Sequence, residues 1–111
     1  MATEARIEHC YPEALVFLRR HGADALVILD DLLAHAERQD NQLVVRASVR
    51  EIAARLSCLS KDTVHRRLRQ LLRAKVIVAH TAPAASPFQP PTYVLDLTDT
   101  GVSVVSARRT A

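Results

Sequence analysis

Glycine is scarce in this chain: Gly22 and Gly101 are the only two among 111 residues. The sequence holds no G-x-x-x-x-G-K-[ST], no G-x-G-x-x-G and no H-E-x-x-H. The phosphate-cradling loops and the zinc-protease helix that need those spacings are excluded, and no enzyme is expected. Cysteine is equally sparse. Cys10 and Cys58 lie far apart with no C-x-x-C, which predicts thiols in a reducing cytosol and no disulfide framework. A buried structural thiol is the expectation at Cys58, with redox sensing as the alternative. His9 beside Cys10, with His21 or His35, lacks the spacing of a ligand set, so no metal and no cofactor are expected. Long apolar runs are missing too. The run Ala25 to Leu29 stops at Asp30 and Asp31, far short of a membrane span. The opening MATEARIEHC has neither a basic n-region nor an apolar h-region, so a cytoplasmic location is expected.

Positive charge is present but not spread out. Between Arg46 and Lys75 stand nine Lys or Arg against only Glu51 and Asp62, a local balance of +7 in a chain of net +3. A single-sign patch of this kind attracts a polyanion and speeds encounter with it. The patch contains no aromatic residue. Single-stranded nucleic acids are usually held by aromatic stacking platforms, so the composition points to duplex DNA.

The chain reads as one domain over 1–111, long enough for a modest core without metal or disulfide staples. Pro12 and Gly22 bracket a first amphipathic helix, with Leu15, Phe17 and Leu18 on its buried side. A second helix is predicted over 24–38, with Leu26, Leu29, Leu32, Leu33 and Ala36 at helical spacing. Gln39-Asp40-Asn41 reads as a turn and Leu43-Val44-Val45 as a short strand. Ser48-Val49-Arg50-Glu51 fits a capping box, opening a helix that buries Val49, Ile52, Ala53 and Leu56. Ser57-Cys58-Leu59 is the next turn, and Ser60 caps a helix running to about Ala74. Val76-Ile77-Val78 and Thr92-Tyr93-Val94-Leu95 read as paired strands around a loop holding Pro83, Pro87, Pro90 and Pro91. Val102 to Val105 is open between strand and helix.

The helix after Ser60 is predicted to have two faces. At about 100° per residue, Val64, Leu68, Leu71 and Leu72 share one arc. Asp62, Arg66, Arg69, Gln70 and Arg73 fill the opposite one. Arginine pairs bidentately with the guanine edge, whereas lysine and hydroxyl groups more often hold phosphates. Asp62, His65, Arg66 and Arg69 are therefore the candidates for a DNA groove. Arg50, Lys61, Thr63, Arg67 and Arg73 are the candidates for phosphates, and the helix N-terminus at Ser60 favours a phosphate as well.

The segment resembles the DNA-binding core of winged helix-turn-helix regulators of the MarR and GntR kind. The motif's small residue falls on Ala54, its turn position on Cys58 and its buried aliphatic on Val64. Leu59-Ser60-Lys61-Asp62-Thr63-Val64, then Arg67-Leu68 and Leu71-Leu72, is similar to the family's recognition helix. Leu97-Thr98-Asp99-Thr100-Gly101 resembles the LT-x-x-G that follows the wing in MarR-type chains. The similarity spans residues 24–101. It implies a mainly α fold with a small β-hairpin wing (α+β), N-terminal helices over 12–38, a winged helix-turn-helix core over 42–97 and a C-terminal extension over 98–111. Three departures stand out. Cys58 and Lys75 occupy places where glycine is common, and the wing between His80 and Pro91 has no Lys or Arg.

The expected function is sequence-specific binding of double-stranded DNA by a homodimeric transcriptional regulator, a repressor. A two-fold dimer reads a palindrome that one small module cannot. Leu15, Val16, Phe17, Leu18, Leu26, Val27 and Ile28 exceed what one core should need, and Val102 to Val105 is a second candidate contact. The alternative is an accessory or architectural DNA binder in plasmid or phage replication, partition or recombination, or a module docking a protein through the proline-rich wing 81–91.

Overall fold

The computed structural model describes residues 5–80 and 91–106. Chain order is β1 (Ala5–His9), α1 (Glu13–His21), α2 (Ala23–Ala34), β2 (Glu37–Gln39), β3 (Gln42–Arg46), α3 (Val49–Leu56), α4 (Lys61–Arg73), β4 (Ile77–Ala79), β5 (Thr92–Leu95) and β6 (Val102–Ser106). The fold is α+β: four helices and two small antiparallel sheets among the described residues. Strand content exceeds the β-hairpin wing and the short strand over 43–45 expected from the sequence.

Helix α2 is the centre of the molecule. Ala25, Ile28, Leu29, Leu32 and Leu33 are all buried on it, and it meets α1, α3, α4, β1 and β3. Gly22 separates α1 from α2 at φ 92°, a left-handed backbone that glycine adopts without a Cβ clash. On α1 the inward positions are Ala14 and Phe17, with Leu18 half-buried, whereas Leu15 faces out. That corrects the expected buried side by one position.

Helix α2 ends at Ala34, four residues before the expected Arg38. The reason is the turn that follows. Asp40 and Asn41 take φ 51° and 66°, left-handed values that Asp and Asn tolerate best after glycine. Two such residues close a tight hairpin, which draws Glu37–Gln39 into a strand paired with Gln42–Val44. The four-stranded sheet then runs β2-β3-β5-β4. Its inner face presents Val45, Tyr93, Leu95 and Ile77 to the helices, and these join one core cluster with Ile28, Leu29, Ile52, Val64, Leu68 and Leu71.

Helix α3 begins as the capping box requires. The Ser48 hydroxyl accepts from the Glu51 amide at 3.1 Å, and the Glu51 carboxylate accepts from the Ser48 amide at 3.3 Å. Ile52 is buried, while Val49, Ala53 and Leu56 are half-buried. Ala54, on which the motif's small residue falls, is exposed. The left-handed turn residue is Ser57 at φ 52°, one position before Cys58. Cys58 is exposed, not buried. At the far end of α4, Lys75 adopts φ 62° where glycine would sit more easily.

The ends of the described chain form their own ribbon. Strands β1 and β6 pair antiparallel from Ala5↔Ser106 to His9↔Val102, so 102–106 is strand and satisfies its own chain. That removes the expected contact of Val102 with a second copy: Val102 is buried in the core. The preceding corner is fixed by Thr100, whose buried hydroxyl donates to the Leu97 carbonyl at 2.7 Å and accepts from the Val102 amide at 3.1 Å. Gly101 stands where a side chain has no room. A Cβ there would collide with the Ala14 backbone nitrogen, and φ is 74°.

Candidate nucleic-acid interface

The geometry of the basic segment follows from how α4 is seated. Val64, Leu68 and Leu71 are buried and Leu72 is half-buried, so the expected apolar arc faces the core. Ser60 caps the helix by accepting from the Thr63 amide at 3.1 Å, and its hydroxyl donates to Thr63 Oγ1 at 3.0 Å. With the inner face fixed, Asp62, His65, Arg66, Arg69 and Arg73 are all exposed along one outer stripe. Ser60 and Lys61 are exposed at its N-terminal end, where unsatisfied amides and the helix dipole favour an anion. Arg50 is exposed on the first turn of α3. Thr63 is half-buried beneath its cap.

Two of the nine cations turn to other helices, and Arg46 lies apart from α4 on β3. Arg55 turns inward to α2, where its Nε and Nη2 donate to the Asp31 carboxylate at 3.1 and 2.8 Å. Arg67 turns toward the α1–α2 corner. Its Nε lies 3.9 Å from the Asp24 carboxylate and its Nη1 donates to Gln70 Oε1 at 3.2 Å. Arg67 therefore does not share the stripe with the other candidate phosphate contacts. Gln70 leaves it as well: its amide donates to the His21 carbonyl at 3.3 Å and to His21 Nδ1 at 3.1 Å. Burial, aided by the nearby Arg20 charge, holds the His21 imidazole below its ordinary pKa, which suits its role as acceptor.

The remaining seven cations, Arg46, Arg50, Lys61, Arg66, Arg69, Arg73 and Lys75, are exposed and make no ion pair among the described residues. Glu51 is occupied by its cap, which leaves Asp62 as the one acidic side chain on the stripe. An arginine-rich, unneutralised helix face backed by a rigid core has the chemistry to meet phosphates and base edges. Sequence reasoning missed Asp24, Asp31 and His21 as the groups that hold α4 and α3 in place.

Strands β4 and β5 pair as expected, Ile77↔Leu95 to Ala79↔Tyr93. Between them, residues 81–90 of the expected wing lie outside the described residues. The histidines once grouped with Cys10 do not converge. His9 Nε2 lies 3.2 Å from the Asp30 carboxylate, His21 faces Gln70, and His35 Nδ1 donates to the Asp31 carbonyl at 2.9 Å. Among the described residues no three His, Cys, Asp or Glu side chains gather as a metal site, and no helix is long and apolar enough to cross a membrane. No protein-family model, curated protein or solved structure matches this chain.

Proposed function

We propose that this chain is a winged helix-turn-helix protein that binds specific double-stranded DNA sequences as a homodimeric transcriptional repressor in the cytoplasm. The observation that carries the reading is the outer stripe of α4: His65, Arg66, Arg69 and Arg73 exposed together on a helix locked from behind. In this reading Asp62, His65, Arg66 and Arg69 enter the major groove. Arg50, Ser60, Lys61, Thr63 and Arg73 hold phosphates on either side, and Arg67 braces the helix. The antiparallel β4–β5 pair leaving α4, with β3 beside it, supports the winged arrangement.

Dimerisation rests on a smaller patch than the sequence implies. Phe17 and Ile28 are consumed by the core, while Tyr11, Leu15, Val16 and Val27 remain exposed. Those on and beside α1 are the surface assigned to the second copy. The deciding experiment is selection of bound sites from random duplexes at stated salt. A palindrome with half-sites about 34 Å apart is expected; recovery of no preferred sequence rejects the reading. The second reading, an accessory or architectural binder in plasmid or phage replication, partition or recombination, or a docking module using 81–91, is favoured by the absence of Lys and Arg from that segment. Long cooperative footprints would support the architectural form, and no DNA affinity at low salt would leave the docking form.

A further inference from the structure

The outer face of the four-stranded sheet carries a hollow of about 450 Å³ beside the C-terminus of α2. That volume falls within the ~300–1,000 Å³ range of small-molecule sites. Strand register decides which side chains share it. Glu37 lies opposite Val44, and Arg46 lies opposite Thr92, whose carbonyl accepts from the His80 amide at 2.8 Å. Side chains alternate along a strand, so these residues all project to the face turned away from the core.

The two charged side chains of the hollow, Glu37 and Arg46, are of opposite sign. The His35 ring gives its Nδ1 proton to the Asp31 carbonyl, which can only accept. With Nδ1 so engaged, Nε2 is the ring nitrogen left to the hollow, two residues before Glu37 in the sequence. Across the hollow stands the Arg46 guanidinium, a donor only, with Thr92 and His80 beside it. Val44, 9% exposed, forms an apolar floor between the two groups. Glu37 and Arg46 are diagonal neighbours across β2 and β3, a relation that spaces the two positions about 7–8 Å apart. Neither makes an ion pair among the described residues.

We propose that this hollow binds a small zwitterion, a free amino acid or close analogue. Its ammonium group meets Glu37 and His35 Nε2, its carboxylate meets Arg46 in a forked pair, and its apolar part lies on Val44. A dianion is disfavoured by Glu37 and a simple cation by Arg46. Only a molecule carrying both charges a few bonds apart satisfies both ends. The site is independent of α4 and of any nucleic acid.

Calorimetric titration of the full chain with the free amino acids, one at a time, tests this, with acetate and methylammonium as half-ligands. At least one amino acid should bind at least about tenfold more tightly than either half-ligand. Arg46→Ala and Glu37→Gln, both at exposed positions, should each weaken it by about tenfold or more, with circular dichroism showing an unchanged fold. Arg66→Ala should bind it as the native chain does. Absence of binding by every amino acid at about 10 mM, half-ligands that bind equally well, or variants that bind like the native chain would each overturn the assignment.

Discussion

The Arg55 guanidinium holds the Asp31 carboxylate through two nitrogens, at 2.8 and 3.1 Å, and so joins α3 to α2. Asp31 is nearly enclosed, with 8% of its side chain exposed. Its charge is therefore screened less than that of a surface pair. Replacing Asp31 by Ala leaves Arg55 half-enclosed without a partner. Loss of charge-assisted hydrogen bonds should lower stability by about 1.5–3 kcal/mol, seen as a lower urea midpoint with an unchanged slope. A midpoint within error of the native chain would show that the pair contributes nothing.

Arg67 sits on the same helix as Arg66 and Arg73 but belongs to a different structure. Its contacts are Asp24 and Gln70, and Gln70 in turn holds His21. Arg67→Ala should therefore reduce stability by about 1 kcal/mol and leave the salt dependence of DNA binding unaltered. Arg73→Ala should do the opposite, weakening binding to every duplex with little change in stability. Equal salt slopes for native chain and Arg73→Ala would remove Arg73 from the phosphate contacts.

These two cases show what the sequence makes legible and what it hides. Helices α3 and α4 announce themselves locally, because a cap and an apolar stripe lie within a few residues of each other. Ser48 with Glu51, and Val64 with Leu68 and Leu71, are contacts of this kind. Arg55 meets Asp31 across 24 residues and Gln70 meets His21 across 49, and no spacing rule joins them. The β1–β6 ribbon is hidden for the same reason, since its two strands come from opposite ends of the described chain. The short strand β2 is obscured by competition: Glu37-Arg38 continue a helical pattern, and only the left-handed pair Asp40-Asn41 decides for a hairpin.

Specificity and affinity should separate on α4. Arg66 lies mid-stripe, where a groove contact is expected, and Lys61 lies at the helix start, where a phosphate is expected. Arg66→Ala should cost about 1–3 kcal/mol on the selected site and relax discrimination there. Lys61→Ala should weaken binding to selected and random duplexes alike and reduce the salt slope by about one. Fluorescence anisotropy over a salt series measures both. Identical losses on both kinds of duplex for the two variants would contradict the division of labour.

Acid should loosen the hold on α4 through His21. Burial, then the Arg20 charge, lowers the folded-state pKa of this imidazole from 6.5. The folded state thus binds fewer protons than the unfolded state in the window just below 6.5, so stability rises with pH there. Read downward, stability is lost as pH falls through 6.5 toward the depressed folded value, and the loss levels off below it. His21→Gln removes the titrating group while keeping a side-chain oxygen for Gln70. Denaturation between about pH 7 and pH 5 should show a smaller decline for this variant; parallel declines would place the acid sensitivity elsewhere.

Gly101 offers the sharpest structural test, because its backbone and its surroundings both exclude a side chain. At φ 74° an L-residue is strained, and the Ala14 nitrogen and the Glu13 carbonyl carbon, the latter 2.7 Å from an added Cβ, are backbone atoms that cannot rotate away. The amide of Cys10 also donates to the Gly101 carbonyl at 2.6 Å, so the corner cannot shift without breaking the ribbon. Gly101→Ala should destabilise the chain by more than about 3 kcal/mol, enough to leave much of it unfolded at moderate temperature. Gly22→Ala is the control: its φ is also left-handed, yet nothing lies within 4 Å of the added Cβ. That variant should lose about 1–3 kcal/mol, less than Gly101→Ala. Thermal melts that ranked Gly22→Ala as the more damaging change would mean that the close approach of the 97–101 corner to α1 is wrong.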